Sequence, residues 1–167
     1  GECPMPVLAA ATPSDCFSMA IEAFRIATKY MIPVMLLTDG YLGNGSEPWL
    51  LPKTEDLPDL KVDFCTDPVD FHPYLHDEKT LSRPWAKPGT PGLEHRIGGL
   101  EKADVTGNVE YGPENHFHMT KLRQARVDII ADDIAEPEFN GDKEGGDLRV
   151  VGWGSTLGAV EEAIDRA

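Results

Sequence analysis

VLAAATPSD at residues 7–15 and PVMLLTDG at residues 33–40 bracket a stretch of helical periodicity, and this run decides the fold. Thr12 is a helix-capping residue type, Pro13 suits a first helical turn, and Asp15 places a negative charge at the positive end of a helix dipole. Phe17, Ala20, Ile21, Phe24, Ala27 and Met31 recur at three- and four-residue steps, which predicts a helix with one apolar face through about Tyr30. Residues 33–38 then read as a buried strand stopped by Asp39 and Gly40. Strand, helix, strand in that order is the repeating unit of a parallel sheet, so the fold class is α/β. Two strands do not make such a sheet alone, and this one is expected to need partners outside the sequence.

Beyond Gly40 the character changes. Residues 41–113 carry nine of the fourteen prolines and little periodicity. An irregular segment of that length inside one compact domain is improbable, which favours an arm lying along another domain or subunit. Trp49, Phe64, Phe71, Tyr74 and Trp85 offer it large apolar anchors. Met119, Leu122, Ala125, Val127 and Ile130 predict a helix over about 114–131. Seven acidic residues with several glycines between Asp132 and Asp147 mark a solvated connection. Residues 148–153 form a strand candidate, followed by an amphipathic helix to the end.

Composition excludes several classes. Lys and Arg number 15 against 29 Asp and Glu, a net charge of -14, which opposes a grip on a nucleic-acid backbone. No apolar run is long enough to span a bilayer, and no secretory signal is visible. Cys3, Cys16 and Cys65 form no CxxC pair, so neither a disulfide framework nor a cysteine-built metal site is expected, and a reducing, cytoplasmic setting fits.

Gly152, Gly154 and Gly158 are spaced GxGxxxG, one residue off the dinucleotide fingerprint, so the phosphate-binding signal is weak and close strand-to-helix packing is the favoured reading. His72 with His76, and His116 with His118, lack a third ligand at a useful spacing, so no metal site is assigned. No GxSxG, P-loop or HExxH motif occurs. Chemistry concentrates in PGLEHRIGG at residues 91–99, where Glu94, His95 and Arg96 stand between flexible glycines. A guanidinium there can grip a carboxylate or phosphate, or Glu94 and Arg96 can form ion pairs that fix the arm to its neighbour.

Taken together, TPSDCF (12–17), PVMLLTDGYLGNGSEPW (33–49), RPWAKPGTPGLEHRIGGLEK (83–102), TGNVEYGPENH (106–116) and DLRVVGWGSTLGA (147–159) resemble the alpha subunit of 2-oxoglutarate:ferredoxin oxidoreductases, thiamine-diphosphate enzymes of the 2-oxoacid:acceptor family. The resemblance implies three parts. Residues 1–40 would end a pyrimidine-binding-type domain, 41–146 would be an extended linker arm with its helix near 114–131, and 147–167 would start a transketolase-C-terminal-like domain. It implies a second alpha subunit and a beta subunit holding thiamine diphosphate, Mg and a [4Fe-4S] cluster, with ferredoxin, coenzyme A and 2-oxoglutarate as reaction partners and none of the cofactors bound by this segment alone. The family's activating glutamate, threonine-containing loop and substrate arginine would precede Gly1, so no catalytic residue is assigned here. Glu94, His95 and Arg96 become candidates for an interface or for substrate and coenzyme approach. Alternative readings are a pyruvate or branched-chain 2-oxoacid enzyme and a non-catalytic acidic adaptor.

Overall fold

The strand-helix-strand unit is present. In a computed structural model, which describes residues 3–136, 139–141 and 143–167, strand β1 (Val7–Ala9) pairs in parallel with β2 (Met35–Leu37), Val7 opposite Met35 and Ala9 opposite Leu37. Helix α1 (Asp15–Lys29) joins them. Its regular turns begin three residues after Thr12, whose hydroxyl accepts the Asp15 amide at 3.2 Å and whose carbonyl accepts the Cys16 amide at 3.3 Å, so Thr12 still satisfies the first free donors. Glu47 secures the same turn by accepting the Ser14 amide and the Thr12 hydroxyl, the latter at 2.9 Å.

By contact density the described chain forms two units interleaved in sequence, with residues 7–24, 34–58 and 134–167 in one and 1–6, 25–33 and 59–133 in the other. The unit containing the β1–β2 sheet is thinly cored: Ala10 and Leu42 are its buried apolar residues, whereas Val7, Phe17, Phe24, Met35 and Leu37 are exposed. Thus the apolar face read on α1 exists but lies open at Phe17 and Phe24. After β2, Asp39 caps helix α2 (Gly40–Asn44) by accepting the Tyr41 and Leu42 amides at 2.9 and 3.0 Å.

The strand candidate at 148–153 does not form. Those residues pair with no strand, and Leu148, Val151 and Trp153 are mostly exposed. A strand is made by its ladder, and the two-stranded β1–β2 sheet supplies none at this segment. The helix expected after it is α4 (Leu157–Asp165), entered through a 3-10 turn at Gly154–Thr156. Residues 137, 138 and 142 of the acidic connection lie outside the described residues.

The other unit holds the fuller core: Ile26, Tyr30, Leu93, Met119 and Ile130 are buried. Its proline-rich part is irregular, as composition implies, with a two-residue parallel pair β3 (Phe64–Cys65) and β4 (Trp85–Ala86) and isolated bridges Tyr74 to Val105 and Lys102 to Val109. The aromatic anchors find partners within the chain. Trp85 donates its indole N–H to the Thr28 carbonyl at 3.0 Å, Phe71 meets His95, and Trp49 in the first unit leans on Phe17 at 5.2 Å between ring centres.

Helix α3 (Pro113–Asp128) starts with proline in its first turn and continues as a 3-10 segment through Asp133. The helix expected over 114–131 is therefore present, but the residue it buries besides Met119 is Arg126. Among the described residues no helix is long and apolar enough to cross a membrane.

Candidate functional site

Residues 91–102 form an anchored, solvent-facing strap. Leu93 is its buried anchor, and Gly92 sits at φ +81° with an added Cβ only 2.6 Å from Pro68 Cβ, so the turn into the strap tolerates no side chain. The His95 Nδ1 donates to the Leu93 carbonyl at 2.8 Å, and its ring tilts against Phe71 at 5.5 Å. Glu94 and Arg96 flank it, both exposed, and among the described residues neither makes an ion pair or side-chain hydrogen bond. Arg96 is a guanidinium held at the surface with its full donor fork available.

What holds the far end of the strap is Lys102. Its ammonium is buried and donates to the carbonyls of Gly98 and Leu100 at 2.6 and 2.5 Å, tying down the two glycines that follow Arg96 and Ile97. The Lys102 carbonyl in turn accepts the Asn115 side-chain amide at 3.1 Å, which fastens the strap to α3.

Beside Lys102, two carboxylates collect hydrogen-bond donors, most of them on α3. Glu101 accepts from His116 Nδ1 at 2.6 Å and from Arg123 at 2.9 Å. Burial would raise its pKa, yet these two hydrogen bonds hold it below the ordinary glutamate value. Asp104 accepts from His76 Nδ1 at 3.0 Å and from His118 Nε2 at 2.8 Å. There too burial opposes ionisation, and the His118 hydrogen bond, the Val105 amide and His76 outweigh it. His76 is held below the usual histidine range by burial first, then by the charge of Arg126, against the pull of Asp104.

His116 and His118 have different carboxylate partners. His118 joins His76 through Asp104, whereas His116 goes to Glu101, and no group of three metal-ligating side chains occurs among the described residues. Lys102, Glu101 and Asp104 were not singled out from sequence. Their distant partners, Asn115, His116, His118 and Arg123 on α3 and His76 before the strap, lie 13 to 28 positions away, too far for a local pattern to announce the contact.

Residues 2–111 match the family described as pyruvate flavodoxin/ferredoxin oxidoreductase, thiamine diphosphate-binding, and the chain belongs to it. The 2-oxoglutarate oxidoreductase subunit KorA of Mycobacterium tuberculosis is 49% identical over the full chain. The alpha subunit of 2-oxoacid:ferredoxin oxidoreductase 1 from Aeropyrum pernix is 28% identical over 99% of it. A solved 2-oxoglutarate:ferredoxin oxidoreductase from Magnetococcus marinus, with 2-oxoglutarate, coenzyme A and succinyl-CoA bound, superimposes with a TM-score of 0.87 at 33% identity, covering 99% of this chain and 29% of that one. The chain spans about a quarter of the length of these two curated relatives.

Proposed function

We propose that this chain is part of the alpha subunit of an enzyme that oxidatively decarboxylates 2-oxoglutarate. The carboxylate-bearing C–C bond breaks to release CO2, the remaining acyl carbon forms a thioester with coenzyme A, the thiol proton is released, and two electrons pass singly to ferredoxin. The observation that carries this reading is identity of 49% along the entire chain to a 2-oxoglutarate oxidoreductase subunit. Thiamine diphosphate with Mg and a [4Fe-4S] cluster belong chiefly to a partner beta subunit in this reading. Cys3, Cys16 and Cys65 are free, and no three ligating side chains converge among the described residues.

In the same proposal, residues 1–40 close a pyrimidine-binding-type domain, 41–146 form the arm, and 147–167 open a transketolase-C-terminal-like domain. The segment's task is mainly structural and interface-forming, in a cytoplasmic enzyme. The exposed apolar residues of the β1–β2 sheet and of α1 support this, since a free surface rarely keeps so many together.

Assaying the intact complex with coenzyme A, a viologen dye and each of 2-oxoglutarate, pyruvate and a branched-chain 2-oxoacid tests the assignment. The highest kcat/KM is expected for 2-oxoglutarate, and a preference for either competitor overturns it. Glu94, His95 and Arg96 are proposed to act at an interface or in the approach of 2-oxoglutarate and coenzyme A. With its fork unpaired, Arg96 should contact an anion two-pronged, so Arg96→Lys is expected to raise one of the two Michaelis constants tenfold or more, about 1.4 kcal/mol. Unchanged constants for both with intact assembly would remove Arg96 from the site.

A further inference from the structure

The chain has four asparagines, Asn44, Asn108, Asn115 and Asn140, and Asn44 and Asn140 stand directly before glycine. Glycine lacks the Cβ that shields its own amide nitrogen, so that nitrogen can reach the side-chain carbonyl carbon of a preceding asparagine. Val109 and His116 follow the other two and keep the shield. The two Asn-Gly pairs sit in opposite surroundings.

Asn44 closes helix α2. Its Nδ2 donates to the Gly40 carbonyl at 2.7 Å, which draws the side chain back along the helix. The Gly45 amide donates to the Tyr41 carbonyl, also at 2.7 Å, and this bond retains the proton that an attacking nitrogen has to lose. The space is taken as well: a Cβ built on Gly45 would lie 2.9 Å from the Tyr41 oxygen and 3.6 Å from Pro13 Cγ.

Asn140 has none of these restraints. It is exposed in the acidic connection after α3, and among the described residues neither its side chain nor the Gly141 amide makes a hydrogen bond. Gly141 stands at φ +100°, and no described atom lies within 4 Å of a Cβ added to it. We infer that Asn140 is a site of spontaneous covalent modification, deamidation through a cyclic imide with Gly141, and that the end of α2 protects Asn44 from the same reaction.

The step balances with water alone. The Gly141 amide gives up its proton to base and its nitrogen attacks Asn140 Cγ. A five-membered succinimide closes as the Cγ–Nδ2 bond breaks, and the leaving nitrogen takes a proton from solvent and departs as ammonia. Water then opens the ring. Breaking the bond from the ring nitrogen to Cγ gives aspartate, and breaking its bond to the backbone carbonyl carbon gives isoaspartate. No electrons change hands, and the net exchange is an amide nitrogen for an oxygen of water. Either product adds a negative charge to a connection that already carries seven acidic residues, and isoaspartate also inserts a methylene into the backbone there.

Ageing the intact complex in mildly alkaline heavy-oxygen water, then digesting it in ordinary water for peptide mass mapping, tests the inference. Heavy oxygen is expected in the Asn140 peptide, mostly as isoaspartate, at a rate tenfold or more above that of the Asn44 peptide. In denaturant the two pairs are expected to react at similar rates, because Asn44 then loses its helix.

An Asn140 peptide that keeps its amide as long as the Asn44 peptide overturns the inference, since the assembly then covers or holds the connection. So does an Asn44 that reacts as fast as Asn140 in the folded complex, or that stays slow when unfolded, because the end of α2 is then not what protects it. Neither readout depends on turnover of 2-oxoglutarate, so the enzymatic reading stands or falls separately.

Discussion

Replacing Gly107 by alanine should destabilise the protein by about 3 kcal/mol, the sum of a left-handed backbone penalty and the cost of overpacking. Gly107 has φ +69°, and an added Cβ would stand 2.5 Å from Cδ2 and 3.0 Å from Cε2 of Tyr74, with Pro73 Cγ at 3.3 Å. The ring has little freedom to retreat, because the Tyr74 backbone exchanges hydrogen bonds with Val105 at 3.1 and 3.2 Å and its face carries Arg83. Gly89→Ala supplies the control: at φ +87° and with nothing within 4 Å of its Cβ, it should lose only the backbone part, about 1 kcal/mol. Thermal unfolding of the two variants side by side measures the difference. If they melt together, the Tyr74 contact is not rigid.

Asp133→Asn is expected to cost about 2 kcal/mol at neutral pH. Asp133 ends the 3-10 segment after α3 and accepts from Arg25 at 2.6 Å and Lys29 at 2.6 Å. Burial would raise its pKa, but hydrogen bonds from Lys29, Arg25 and Tyr30 bring it down from 3.8 to about 2. A carboxylate whose pKa is depressed on folding stabilises the fold fully above its unfolded value and loses that contribution as pH falls toward the folded one. The difference between wild type and variant should therefore be constant above about pH 5 and shrink as the acid limb is approached.

A second readout comes from Tyr30, whose pKa is raised to about 12, first by burial and then by Asp133. The asparagine should bring that titration partway back toward 10, and no further, because burial remains. A Tyr30 titration unmoved by the substitution would contradict the hydrogen bond.

The α/β unit was legible because local signals agree there. Thr12, Pro13 and Asp15 mark a helix start, the apolar steps from Phe17 give the helix, and Asp39 with Gly40 ends the strand, each within a few residues of its cause. The α3 helix was legible for the same reason. The segment at 148–153 was not, because Val150 and Val151 state a preference that only a neighbouring strand can satisfy. Arg126 escaped notice since a charged residue on a helical repeat reads as solvated, and nothing local reveals that this face turns inward. Glu94, His95 and Arg96 were found by composition, whereas Lys102, which holds their strap in place, gains its meaning only from carbonyls that curl back onto it.

Asp39 has one further bearing, on the order in which the chain can mature. The carboxylate that caps α2 also accepts the amide of Ser155 at 3.3 Å and its hydroxyl, a partner 116 positions downstream. On a ribosome the turn after β2 can close as soon as it emerges, while the entry to α4 has no local substitute for Asp39 and must wait for that already finished corner. Slow exchange of the Tyr41 and Leu42 amides should precede that of the Ser155 amide during refolding, making a single aspartate the timekeeper for two distant stretches.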